Sequence, residues 1–223
     1  MRRFRVLPAL ALTGALFASP IAWAQDDNKP VPSFFGSTEI RKTDLKPFPK
    51  WTDMLAAFEK EHAAKAGECK VTAEEKCYYR AWTKFIAGLK GAAPAEQLEK
   101  VNAYMNQAKY VVDQVNYQVD DYWATPGQFF AKMGDCEDYA IAKYLTLLAL
   151  GWDSAKLRVV AVQDMNLKIP HAVLAITQGD EVFILDNQIQ QVMAAEKIKH
   201  YRPIYSVNDK SWWLHKVPPP KTS

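Results

Sequence analysis

Gly134-Asp135-Cys136-Glu137-Asp138-Tyr139 sets one thiol among three carboxylates, just before an apolar run of helical period. Asp135 suits a helix N-cap, and Asp138 three residues on completes a capping-box pattern. A helix is expected from Cys136 to Leu150, with Ile141, Leu145 and Leu148 on one face and Gly151 closing it. Cys136 then stands in the first turn. Unpaired N–H groups and the helix dipole stabilise a thiolate there, and the same N–H groups can hold an oxyanion. The carboxylates work against this, because negative neighbours raise a thiol's pKa. A bound cation would offset them. Asp and Glu oxygens suit Ca²⁺, and Asn116, Asp120 and Asp121 in the preceding loop can add ligands. A capped, solvated helix end accounts for the same acids without a metal, and the residues alone leave both readings open.

A thiol nucleophile needs a base. Of four histidines, His62 falls on an early helix, and His200 and His215 fall near strand ends. His171 immediately precedes the apolar run Ala172-Val173-Leu174-Ala175-Ile176. Strands are expected at Leu157–Gln163, Ala172–Thr177 and Glu181–Asp186, the last two forming a hairpin around Gln178-Gly179-Asp180. If Gln178-Gly179 is the turn, His171 directly faces Asp186, on one face of the sheet and close in space. Asp186 can then orient the imidazole, as the third member of a triad does. A slip of one residue would turn Asp186 to the other face and bring Asn187 into question. The chemistry this trio supports is acyl transfer through a cysteine.

The positioning elements follow from periodicity. Residues 25–50, with four prolines, read as an extended lead-in. Helices are expected from Trp51 (Trp51, Met54, Leu55, Phe58), over 74–89 (Tyr78, Trp82, Phe85, Leu89), and from Pro94 to about Val115. Asn116 to Met133 reads as a loop or short helical turn, and a second hairpin joins Tyr201–Val207 to Ser211–Val217. Helices first and antiparallel strands second give an α+β class, with one domain over 51–223, helical over 51–150 and sheet over 155–217.

The first 24 residues have the form of an export signal. Arg2, Arg3 and Arg5 precede an uncharged apolar stretch from Val6 to Ile21, and Ala22-Trp23-Ala24 is a cleavage pattern. The signal carries three of the 28 basic residues and none of the 25 acids, leaving 25 against 25. That balance offers nothing to nucleic acid. In an oxidising compartment Cys69 and Cys77 can close a small disulfide loop, which leaves Cys136 as the odd, reactive thiol.

The order Cys, His, Asp narrows the field further. Asp121-Tyr122-Trp123-Ala124-Thr125-Pro126, the run from Gly134 to Tyr144, Leu157-Arg158, His171-Ala172-Val173-Leu174 and Leu185-Asp186-Asn187 together resemble the bacterial transglutaminase-like cysteine proteinases, over roughly residues 95–215. The resemblance implies a papain-like, transglutaminase-like core and a periplasmic, calcium-dependent endopeptidase. Such enzymes cut the N-terminal region of a large surface adhesin, release biofilm cells, and are sequestered by an inner-membrane cyclic di-GMP receptor. It implies Cys136 as nucleophile, His171 as base and Asp186 as its orienter. It further implies Asp135, Glu137 and Asp138 as calcium ligands, with Asn116 as another. Trp123 reads equally as a wall of the substrate cleft or as a core aromatic. Gly127-Gln128 and Met133 depart from the family pattern, the first where an acidic residue is expected. The same residues would also serve an amine acyltransferase, or a calcium-binding adaptor that docks on a membrane receptor without turnover.

Overall fold

The computed structural model describes residues 34–65 and 78–217. The export signal and the Cys69–Cys77 pair lie outside them. Among the described residues no helix is long and apolar enough to cross a membrane.

The helices form where apolar spacing puts them, with one exception. Helix α1 (Pro49–Lys65) buries Trp51 and Met54, and α2 (Tyr78–Leu89) buries Trp82, Ile86 and Leu89. Helix α3 (Pro94–Met105) begins on a proline, whose missing N–H costs nothing at that position, and buries Leu98, Val101 and Met105. It stops ten residues short of the expected end at Val115. Val111, Val112 and Val115 continue the apolar count, but Val112 and Val115 are exposed and have no core to face. The chain instead runs extended, pairs Tyr110 with Gly134, and makes a single turn, α4 (Asp113–Asn116). Helix α5 (Pro126–Lys132), with a Thr125/Gln128 capping box, is the short helical alternative for the 116–133 stretch. Helix α6 (Cys136–Ala149) is buried on nearly all sides, beyond the single face its spacing suggested.

Among the described residues seven antiparallel strands form one sheet: β1 (Thr38–Lys42), β2 (Leu157–Asp164), β3 (Ile169–Gln178), β4 (Glu181–Leu185), β5 (Met193–Ala194), β6 (Tyr201–Val207) and β7 (Trp212–Lys216), in the order β1-β7-β6-β2-β3-β4-β5. The stretch read as an extended lead-in supplies β1, an edge strand paired with β7. Its charged Thr-Glu-Ile-Arg-Lys sequence suits an edge. One sheet face, with Val159, Leu174, Ile176 and Leu185, packs on Trp51, Val101, Ile141 and Tyr144. The other, with Val160, Val162, Val173 and Ile184, is covered by Phe34, Ala195 and Ile198. Burial on both faces explains why 172–176 is an unbroken apolar run.

A polar knot ties β1 to this sheet. The Arg158 guanidinium lies 3.6 Å over the Trp213 ring and donates to Glu39 Oε2 at 2.6 Å. His215 beside it hydrogen-bonds Ser37 Oγ (2.8 Å) and Ser206 Oγ (2.9 Å). Burial holds His215 down at about 4, Arg158 adds to this, and Glu39 opposes it. As pH falls from 6.5 towards 4 the unfolded chain therefore takes up a proton that the folded chain refuses. Stability present above the ordinary histidine pKa is lost in that window, by up to about 3 kcal/mol. Urea midpoints at about pH 7 and about pH 4.5 bracket the window. His215→Gln should show a clearly smaller acid-induced drop between them than wild type.

Candidate active site

The hairpin that carries His171 and Asp186 closes through Gly179-Asp180, with Gln178 opposite Glu181 and Leu174 opposite Leu185. Gly179 takes φ +61, as a two-residue turn of this kind requires. The register is two residues away from the expected one, so His171 and Asp186 are not directly opposed. Side chains alternate with period two, so a shift of two keeps both on one face as diagonal neighbours. Their side chains meet: His171 Nε2 lies 2.9 Å from Asp186 Oδ1, and both residues are buried.

Asp186 is surrounded by donors. Tyr201 O–H reaches Oδ2 at 2.6 Å and the Gln188 N–H reaches Oδ1 at 2.9 Å. Burial alone would raise this carboxyl. The hydrogen bonds and charge of His171, with Tyr201 and Gln188, outweigh it and hold the group below its ordinary value. A carboxylate can only accept, so His171 Nε2 is the donor to it, and the Gln188 side-chain amide nitrogen, 3.4 Å from Nδ1, leaves that atom as the acceptor. Asn106 Nδ2 donates to the Asp186 carbonyl at 2.8 Å and fixes the backbone. Tyr201 and Asn106 have no local sequence pattern pointing to them, since they come from β6 and from the end of α3.

Cys136 is the first residue of α6, and Asp135 is its N-cap. The Ala172 N–H, from the residue after His171, works to lower the thiol's pKa. The S–H donates to Glu137 Oε2 at 3.2 Å. Burial, Glu137 and Asp135 push the thiol well above its ordinary value. Helix position alone would have favoured a thiolate. The carboxylates reverse that.

Those carboxylates separate into two groups. Asp138 turns inward, accepting from the Ala124 N–H at 2.7 Å and the Asp135 N–H at 3.3 Å. Burial pushes its carboxyl up to about 8. Its two oxygens are thus committed to capping and to the 121–126 segment. Asp135 and Glu137 instead converge with Asp113, one oxygen from each within 4.8 Å of the others. Asp113 is fully buried, and Oδ1 of Asp113 and Oδ1 of Asp135 are buried with no hydrogen-bond partner. Burial raises all three carboxyls, Glu137 to about 9 with Asp135 adding to the effect. Hard oxygen donors with orphaned lone pairs fit a calcium ion. Asp113, three residues before Asn116, opens α4 and falls inside the helix expected to run to Val115, where no spacing marks it as a ligand. Asn116 spends its amide nitrogen on the Met133 carbonyl at 3.1 Å.

Trp123 is half-buried, packed edge-on against Trp51 at 6.1 Å, with its indole N–H on Asp121 Oδ1 at 3.0 Å. Gly127, the departure from the family pattern, also has a local explanation. A side chain there would collide with the Glu61 carboxylate from α1, which hydrogen-bonds Thr125. Lys143, two turns along α6 from Cys136, is fully buried with no hydrogen-bond partner for Nζ, and burial lowers it to about 7.

Gly134 is where this helix start is most tightly packed. A Cβ there would lie 2.7 Å from Asp138 Cβ and 2.8 Å from its Cγ. Gly134→Ala must therefore dislodge the pinned Asp138 carboxylate. Overpacking and a weakened cap together predict a loss of about 2–4 kcal/mol in urea unfolding, with Cys136 alkylation disturbed in the folded fraction.

A family model described as bacterial transglutaminase-like cysteine proteinase BTLCP matches residues 61–216. The solved structure of Legionella pneumophila LapG is 38% identical, covering 61% of this chain and 77% of that one, with a TM-score of 0.57. Its calcium-bound form is 32% identical over 72% of this chain and 87% of that one, with a TM-score of 0.58. Its EGTA-treated form is 38% identical over 63% and 77%, also with a TM-score of 0.58. No curated protein matches. The helical layer on an antiparallel sheet is the transglutaminase-like cysteine protease fold. Because the family match takes in the whole run from α4 to β7, Cys136, His171 and Asp186 included, the chain belongs to the bacterial transglutaminase-like cysteine proteinases and is a cysteine peptidase.

Proposed function

We propose that this peptidase is a periplasmic, calcium-dependent endopeptidase that cuts the N-terminal region of a large surface adhesin and so governs biofilm release. The observation that carries the calcium dependence is the pair of orphaned carboxylate oxygens on Asp113 and Asp135, in a cluster that includes the neighbour of Cys136. The calcium-bound and EGTA-treated forms of LapG support it. Asp113, Asp135 and Glu137 would hold the ion, with Asn116 a further oxygen donor. When bound, the ion supplies positive charge that neutralises the acids next to the thiol. The family and the export-signal pattern of residues 1–24 support the periplasm.

In this mechanism His171 Nδ1 takes the Cys136 proton, and the thiolate attacks a peptide carbonyl. Asp186, held by Tyr201 and Gln188, stabilises the imidazolium that forms. N–H groups of the first turn of α6 receive the oxyanion. His171 then protonates the leaving amine, and deprotonates the water that hydrolyses the thioester. Trp123 would border the cleft from its packing place on Trp51. An inner-membrane cyclic di-GMP receptor is the proposed partner that sequesters the enzyme.

The test is incubation of the mature protein with the N-terminal region of a large surface adhesin, in calcium or in EGTA. A discrete cut in calcium only, with water rather than an added amine in the product mass, is the expected result. An uncut adhesin, or equal cutting in EGTA, would sink the reading.

A further inference from the structure

Lys143 puts a charge in the core that the peptidase mechanism does not use. The residue is fully buried, and its Nζ has no hydrogen-bond partner among the described residues. An ammonium stripped of water and left unpaired weakens a fold, and an unbranched methionine would fill the space without that penalty. The helix fixes where the charge lies. Lys143 follows Cys136 by seven residues of the unbroken helix α6. That is about 700° of turn, so the two share one stripe of the helix, with Ala140 between them. Helical side chains lean towards the N-terminus, and this one does: Nζ lies 5.8 Å from the centroid of the Tyr139 ring, a turn nearer to Cys136. The ring is a favourable neighbour for a cation. The Tyr139 O–H donates elsewhere, to the Ala108 carbonyl at 2.7 Å. The ammonium therefore lies on the buried side of α6, roughly one turn (about 5 Å along the axis) behind the nucleophile. Burial lowers Lys143 to about 7, and the charge of Asp186 works to keep its proton on.

We propose that Lys143 is a positioning residue that acts through Cys136, its dry ammonium supplying positive potential at Sγ from within α6. This rests on the cysteine-peptidase mechanism above. When His171 takes the thiol proton, negative charge appears on Sγ. When Sγ attacks, that charge passes to the carbonyl oxygen at the first turn of α6. Both anions form at the end of the helix towards which the lysine side chain runs. Packed protein rather than water surrounds Lys143, so its field is weakly screened. Asp135 and Glu137 set the opposing field at the same end, and Lys143 offsets them from inside the core. It exchanges no proton and forms no bond during the reaction.

Two probes of Cys136 separate this role from a structural one. Iodoacetate and iodoacetamide alkylate the same thiolate by the same displacement of iodide. Their rate ratio therefore cancels the amount of thiolate and reads the potential at Sγ through the one charge by which they differ. The ratio is measured in saturating calcium, at a pH below 7 where Lys143 holds its proton, with Cys136→Ala as the blank. Lys143→Met should lower the iodoacetate-to-iodoacetamide ratio by about 3-fold or more. Its melting midpoint should stay at or above that of wild type, because an unpaired buried charge has gone. Lys143→Leu, a second neutral core side chain, should do the same and covers a failure of the first to fold. A ratio unchanged or raised, or a midpoint well below wild type in both variants, overturns the proposal. Wild type inert to both probes would overturn the nucleophile reading itself, and the inference with it.

Discussion

Turnover on the adhesin fragment falls by about 10⁴-fold in His171→Ala, and by about 10³–10⁴-fold in Asp186→Asn. The second figure follows from the donors around Asp186. His171 Nε2 and the Gln188 N–H both point at Oδ1, and the Tyr201 O–H points at Oδ2. An amide has one accepting oxygen. Whichever way the substituted amide turns, its NH₂ faces a donor, and the negative charge opposite the imidazolium is gone. Tyr201→Phe removes one of three donors and should cost far less, about 10-fold or below. Both triad variants should unfold within about 2 kcal/mol of wild type, so circular dichroism and kcat/KM together separate chemistry from folding. Near-normal turnover in folded His171→Ala would remove His171 from the mechanism.

The second large effect belongs to Asp113. It lies well before Asp135 in the chain, fully buried, with one oxygen unpartnered. If it holds calcium, Asp113→Asn raises the calcium concentration needed for half-maximal cleavage by about 10-fold or more, the scale on which even residues that support metal ligands act. The same substitution should abolish a thermal signature. A ligand at about one hundred times its dissociation constant adds about 2.7 kcal/mol to the folded state. Wild type should therefore melt several degrees higher in calcium than in EGTA, and Asp113→Asn nearly the same in both. If the acids only cap the helix, calcium moves neither midpoint. Asp138→Asn serves as the contrast: with both oxygens on backbone N–H groups, it should lower stability in calcium and EGTA alike.

Much of this site is legible in the sequence, and the gaps share a cause. The position of Cys136 follows from local rules: a capping residue, an apolar period and a closing glycine. The His171–Asp186 contact follows from hairpin arithmetic even though the turn lies one residue further along, because that moves the pairing by two and the face survives. Asp113, Tyr201 and Asn106 are different. Each reaches the site through the path of the chain rather than through a neighbour's spacing, so no periodicity marks it. The same limit applies to α3, where valines continue an apolar count with nothing to pack on, and to β1, whose charged sequence becomes a strand only because β7 offers it an edge.

That edge pairing also sets the order in which the molecule can be completed. Arg41 on β1 bonds Ser211, just ahead of β7, across 170 residues. Asp186 meets its Tyr201 only after β6 has arrived. Cys136 and His171 therefore precede in the chain the strand that braces their acid partner. The site is complete only once β6 is in place, and the sheet only once its last strand, β7, meets its first.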